Sequence, residues 1–128
     1  MSTVETSTPP QTPTPIGPYN HVAKVGSWIT IGGVAGVDPA TGELAGPDVG
    51  AQTRMIIDSL ATMLRSVGSD LDHIVHVNVF LADMADFAAM NEVYATYFHA
   101  PAPARATIQA AGLPRNVRVE IDLIAYLG

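Results

Sequence analysis

Residues 117–127 alternate with a period of two. Val117, Val119, Ile121 and Leu123 take one side, and Arg118, Glu120 and Asp122 take the other. Successive side chains of a strand point to opposite faces, so the pattern fits a half-buried strand and does not fit a helix. The stretch before it alternates as well, with Ala106, Ile108 and Ala110 opposing Arg105, Thr107 and Gln109. A Gly-Leu-Pro turn region at residues 112–114 separates the two runs, which therefore read as a closing hairpin. Its apolar face, Ala106, Ile108 and Ala110 included, is expected to meet helices. Its polar face, with Arg105 on it, is either solvated sheet or the lining of a subunit contact with polar pockets.

A sheet with one apolar face needs something to cover that face, and the sequence predicts two helices. Asp48 can cap a helix reaching about residue 67, in which Ile56, Leu60, Met63, Leu64 and Val67 form one stripe before Gly68. Asp83 or Asp86 can cap a second, reaching about residue 99, with Phe87, Met90, Tyr94 and Phe98 as its stripe. Residues 22–25 and 28–31 flank Gly26-Ser27 and read as a hairpin. The run "HIVHVNVFLAD" reads as a strand because β-branched residues dominate it. Residues 1–15 are rich in Ser, Thr and Pro and read as a flexible or extended leader, which leaves residues 16–128 as the domain. The order β-β-α-β-α-β-β predicts an α+β fold, a single mixed sheet with both helices on one face.

Charge narrows the function. Twelve acidic residues against six Lys and Arg give a net charge of −6, and nucleic-acid binders need a basic stripe instead. The absence of cysteine removes disulfides, thiolate catalysis and thiol metal sites. His21, His73, His76 and His99 lack the helix-face spacing of metal ligands and read as surface or edge residues, so no metal is expected. Gly32, Gly33 and Gly36 are not followed by a helix, which argues against a dinucleotide loop. No apolar run approaches the ~20 residues of a membrane span, and the N-terminus lacks a signal-peptide layout; a cytoplasmic protein is expected. Charged residues make up only 14% of the chain, against roughly 25% in ordinary domains. Part of the surface is therefore expected to be covered by further copies of the chain.

Several residues carry chemistry. The planar fork of Arg105 matches a carboxylate through two parallel hydrogen bonds; the alternative is an ion pair to Asp122 or Glu120. Glu120 can hold and deprotonate a water, or can be a solvated sheet carboxylate, and Asp122 is a second candidate. Tyr19 follows Gly17-Pro18, a rigid turn that can aim a phenol into a cleft. Asn91 lies among Phe87, Met90 and Tyr94, where an amide needs a partner. Gly32 permits close approach of a ligand to its N–H.

The stretches "IGPY", "VNVFLADMADFAAMNEVYATYF" and "PAPARATIQAAGLPRNVRVEIDLIA" resemble the RidA (YjgF) family of imine deaminases along nearly the whole chain after the leader. The resemblance implies a chorismate-mutase-like fold and a homotrimer whose sheets pack into a central barrel, with active sites between subunits. It implies cofactor-free hydrolysis of enamines and imines such as 2-aminoacrylate, 2-iminopropanoate and 2-iminobutanoate to 2-oxo acids and ammonia. It places Arg105 on the substrate carboxylate, Glu120 as general base, and Tyr19, Gly32, Asn91 and Thr107 around the substrate. Many members carry Ser or Thr where this chain has Ile31, Gln where it has Gly33, and Cys where it has Thr107. Ile31 is thus expected to meet a more apolar substrate, such as an aminomuconate-type compound. A trimer that binds or senses a small carboxylate without turnover is the alternative function.

Overall fold

Asp48 begins the first helix as expected. Its carboxylate accepts a hydrogen bond from the Ala51 N–H at 3.0 Å, which satisfies one of the unpaired donors of a helix start. This helix, α1, spans Val49–Ser66. It buries Ile56, Ile57, Leu60, Met63 and Leu64 completely or nearly so. The second helix, α2, spans Phe87–Tyr94 and is shorter than the stripe suggested. Asp83 caps the short helical turn Met84–Asp86 that precedes it, by accepting from the Ala85 N–H.

The computed structural model describes residues 3–128. Its strands are β1 (Glu5–Ser7), β2 (Val22–Val25), β3 (Trp28–Ala35), β4 (Ile74–Leu81), β5 (Ala104–Gln109) and β6 (Val119–Tyr126). They form one mixed sheet in the order β1-β2-β3-β6-β4-β5. The single mixed sheet with two helices on one face is the architecture expected. The core lies between that face and the helices, and joins Val34, Val77, Val79, Val119, Ile121 and Leu123 to the buried stripe of α1 and to Met90 and Tyr94 of α2.

Three sequence expectations are corrected. The closing runs are not a hairpin. β5 pairs in parallel with β4, while β6 lies antiparallel between β3 and β4. Two parallel neighbours need a crossover, which α2 supplies, and the most regularly apolar strand, β6, takes the central place where both edges are paired.

The faces of β5 are also the reverse of the expectation. Arg105 pairs with Val77, which is 1% exposed, so Arg105 and Thr107 face the helices. Ile108 is 53% exposed on the other face. Alternation alone defines two faces without saying which is inward. Here the register with β4 decides.

Lastly, the segment expected to be a flexible leader is partly built into the fold. Met1 and Ser2 lie outside the described residues, but Glu5–Ser7 is an edge strand on β2, and Thr12 and Pro13 are buried.

Candidate functional site

Two polar clusters lie on opposite faces of the sheet. The first surrounds Arg105, at the start of edge strand β5 and beneath α2. The guanidinium carbon lies 4.6 Å from the ring centroid of Tyr94 and 5.7 Å from that of Phe87, and Nη1 lies 4.0 Å from the Met90 sulfur. Positive charge over an aromatic face is favourable, so the helix stripe holds Arg105 without a carboxylate. Among the described residues Arg105 makes no ion pair. The pairing to Asp122 or Glu120 is ruled out by geometry, since both lie on the opposite face.

Asn91 is half-buried on α2, four residues from Phe87 and three from Tyr94, and so shares their stripe. Thr107, two residues along β5, and Tyr94 each bury a hydroxyl with no hydrogen-bond partner. Such orphaned groups are rare in a settled core. Burial raises the Tyr94 phenol above its ordinary range, while the positive charge of Arg105 opposes that rise. Sequence reasoning took Tyr94 for core alone; its role beneath Arg105 depends on β5 reaching α2.

The second cluster centres on Glu120, near the start of β6 on the open face. It is half-buried. Burial, and secondarily the charge of Asp122 beside it, raise its carboxyl above the ordinary carboxylate range. Gly33 of β3 makes room for it, because a Cβ there would lie 2.7 Å from Glu120 Oε2. Pro13, Ile16, Tyr19, His21 and Arg115 join Glu120 around a cleft. The Tyr19 hydroxyl accepts from the Ile16 N–H at 3.2 Å.

His21 is a residue the sequence reading missed. It is not at the surface: it is 4% exposed, its Nε2 faces the Pro13 carbonyl at 2.9 Å, and burial lowers its pKa. His76, in contrast, is part of a chain on the open face. Its Nε2 meets Asn78 Oδ1 at 3.0 Å, and Asn78 donates to Asp122 at 2.9 Å.

Two expected ligand contacts do not form. Ile31 is 1% exposed and faces the core opposite Leu123, so its side chain cannot greet a substrate. The Gly32 N–H already donates to the His21 carbonyl at 2.9 Å and is not free for a carboxylate. In a single chain, then, the cation and the candidate base are both present but separated by the thickness of the sheet.

The sequence and the fold both match those of known proteins. The family model described as Endoribonuclease L-PSP matches residues 9–127. A RutC family protein of Pyrococcus horikoshii is 43% identical over 114 residues, which are 89% of this chain and 90% of that protein. The 2-iminobutanoate/2-iminopropanoate deaminase of Mus musculus is 42% identical over 116 residues, 91% of this chain and 86% of that protein. The crystal structure of RidA from the Antarctic bacterium Psychrobacter superposes with a TM-score of 0.92 at 36% identity, covering 96% of this chain and 99% of that one. On this match of sequence and fold, the chain belongs to the Endoribonuclease L-PSP family, the family of the RidA and RutC proteins.

Proposed function

We propose that this chain is a cofactor-independent deaminase of small 2-imino acids and their enamine tautomers, working as a homotrimer. The observation that carries this reading is Arg105, a guanidinium held on Tyr94 and Phe87 with no carboxylate of its own. Its fork is left for the carboxylate of a ligand. Glu120, with its raised pKa, suits a general base that takes a proton from water. The water oxygen bonds to the imine carbon as the C=N π bond breaks and nitrogen takes up that proton; the resulting carbinolamine gives its hydroxyl proton to nitrogen, the C–N bond breaks, and ammonia leaves a 2-oxo acid. The name of the mouse relative supports the substrate class.

Trimerisation is part of the proposal because Arg105 and Glu120 lie on opposite faces of one sheet. Arg105 of one copy and Glu120 of the next would complete a site between subunits. The family's descriptive name refers to RNA cleavage, but a net charge of −6 with only six Lys and Arg disfavours a phosphate backbone.

The test generates 2-aminoacrylate from serine with a dehydratase and follows pyruvate release, with 2-iminobutanoate in parallel. Faster release with wild type, lost in Arg105→Ala, is expected. The separation of Arg105 from Glu120 favours a second reading, a small-carboxylate binding protein. Carboxylate binding without any acceleration would establish it instead.

A further inference from the structure

The cleft at Glu120 is small, at about 40 Å³. By the same measure a single ordered water needs roughly 10–15 Å³, so the cleft has room for water beside the carboxylate. One wall of this cleft is the N-terminal segment, through Pro13, Thr14 and Ile16. That segment is tied down by residues 20 and 21. Asn20 Nδ2 donates to Thr6 Oγ1 at 3.2 Å, and Thr8 Oγ1 donates to Asn20 Oδ1 at 3.0 Å. The His21 N–H donates to Thr8 Oγ1 at 3.2 Å.

The decisive tie is the buried contact of His21 Nε2 with the Pro13 carbonyl. A carbonyl only accepts, so Nε2 must carry the proton. The same segment sets Tyr19, whose hydroxyl accepts from the Ile16 N–H. With that lone pair engaged, the phenol proton is free to point elsewhere. The Tyr19 ring also meets His21 edge-on, with centroids 5.6 Å apart.

We propose that residues 8–16 are a strap enclosing a water site at the Glu120 carboxylate, and that His21 is the positioning residue that latches the strap through Pro13. The proposal deepens the deaminase reading and rests on Glu120 as its base. The site takes water rather than substrate. The imino acid sits by its carboxylate at Arg105, and the strap keeps the attacking water ordered and bulk solvent out.

The test compares wild type, His21→Ala and His21→Gln. The Gln amide can restore an N–H to the Pro13 carbonyl, and Ala cannot. Turnover of 2-iminobutanoate is measured beside hydrogen exchange at the Ile16 amide. His21→Ala should lower kcat about ten- to a hundredfold, leave KM within twofold, and speed exchange at Ile16. His21→Gln should return both towards wild type.

A His21→Ala protein with wild-type kcat, or one that changes KM alone, overturns the proposal. Should His21→Ala fail to fold, deletion of residues 1–13 removes the gripped carbonyl while keeping His21. Wild-type kcat in that deletion overturns the proposal equally, and a lowered kcat at unchanged KM supports it. If wild type hydrolyses no imino acid, the deaminase reading fails by itself. Exchange at Ile16 then decides the latch, and equal rates in His21→Ala and wild type overturn it.

Discussion

Arg105 is held by aromatic rings and methionine sulfur, and its loss should cost binding more than folding. Arg105→Ala forfeits the contact with Tyr94, worth about 0.5–1 kcal/mol, so the melting temperature should move by only a few degrees. Deaminase activity and carboxylate binding should collapse. Arg105→Lys should also fail substantially, because an ammonium cannot make two parallel bonds to a carboxylate. Turnover and calorimetric binding of a 2-oxo acid check both variants, and wild-type turnover by an assembled Arg105→Ala protein would remove its assigned role. At Glu120 the sign of the pH effect is fixed by burial. Its carboxyl is raised above the ordinary carboxylate range, so the proton stays on at a pH where an ordinary carboxyl has lost it. The acid limb of kcat/KM should therefore lie above the ordinary carboxylate range, and Asp122→Asn should move it downward by removing a neighbouring negative charge. A limb unmoved in Asp122→Asn would sever that coupling. The two exposed glycines separate cleanly. A Cβ at Gly32 meets nothing within 4 Å, whereas at Gly33 it meets the Glu120 carboxyl. Gly32→Ser should fold normally and can present a hydroxyl that Ile31, buried in the core, could not. Gly33→Ala should displace Glu120 and lower kcat with the fold intact, as circular dichroism beside kinetics would show.

At the scale of elements, the N-terminal segment changes meaning most. Its Ser, Thr and Pro content argues for a leader, and its prolines do exclude it from the sheet interior. It nevertheless adds a three-residue edge strand to β2 and supplies a wall of the Glu120 cleft. A truncation starting at Pro15 should therefore melt only modestly lower, since β1 is short and exposed on all three residues. Turnover should fall further than stability does. Thermal melts set against kcat for the truncated protein test this, and unchanged kcat would return the segment to the status of a leader. The exchange of places between β5 and β6 matters as much. Because β5 follows α2 into the sheet, Arg105 is delivered under Phe87 and Tyr94. A simple hairpin would have left it beside Glu120 and Asp122, paired and of no use to a ligand.

For the whole molecule, the open sheet face is a part-apolar surface that a lone chain leaves exposed. Trp28, Ile108, Ile124 and Tyr126 are between 40% and 54% exposed on it, together with the His76–Asn78–Asp122 chain. Covering such a face with identical neighbours would bury apolar area worth roughly 25 cal/mol per Å² and bring Glu120 near another copy. Light scattering at micromolar concentration should give three times the 13.4 kDa chain mass. A monomer would leave Arg105 and Glu120 apart and end the proposal of a site between subunits.

Periodicity was enough to place both helices, five of the six strands and their single mixed sheet, because burial of one face is written into residue spacing. Residue chemistry made Arg105 and Glu120 candidates, each beside a structural alternative, and the resemblance to known deaminases joined them as a site. Strand order, and with it the face each residue occupies, came only from tertiary structure. An alternating run carries two faces of equal standing, and only pairing with a neighbour chooses between them. For that reason Arg105 turned inward to α2, Ile31 sank into the core, and His21 left the surface to grip a segment that composition alone describes as loose.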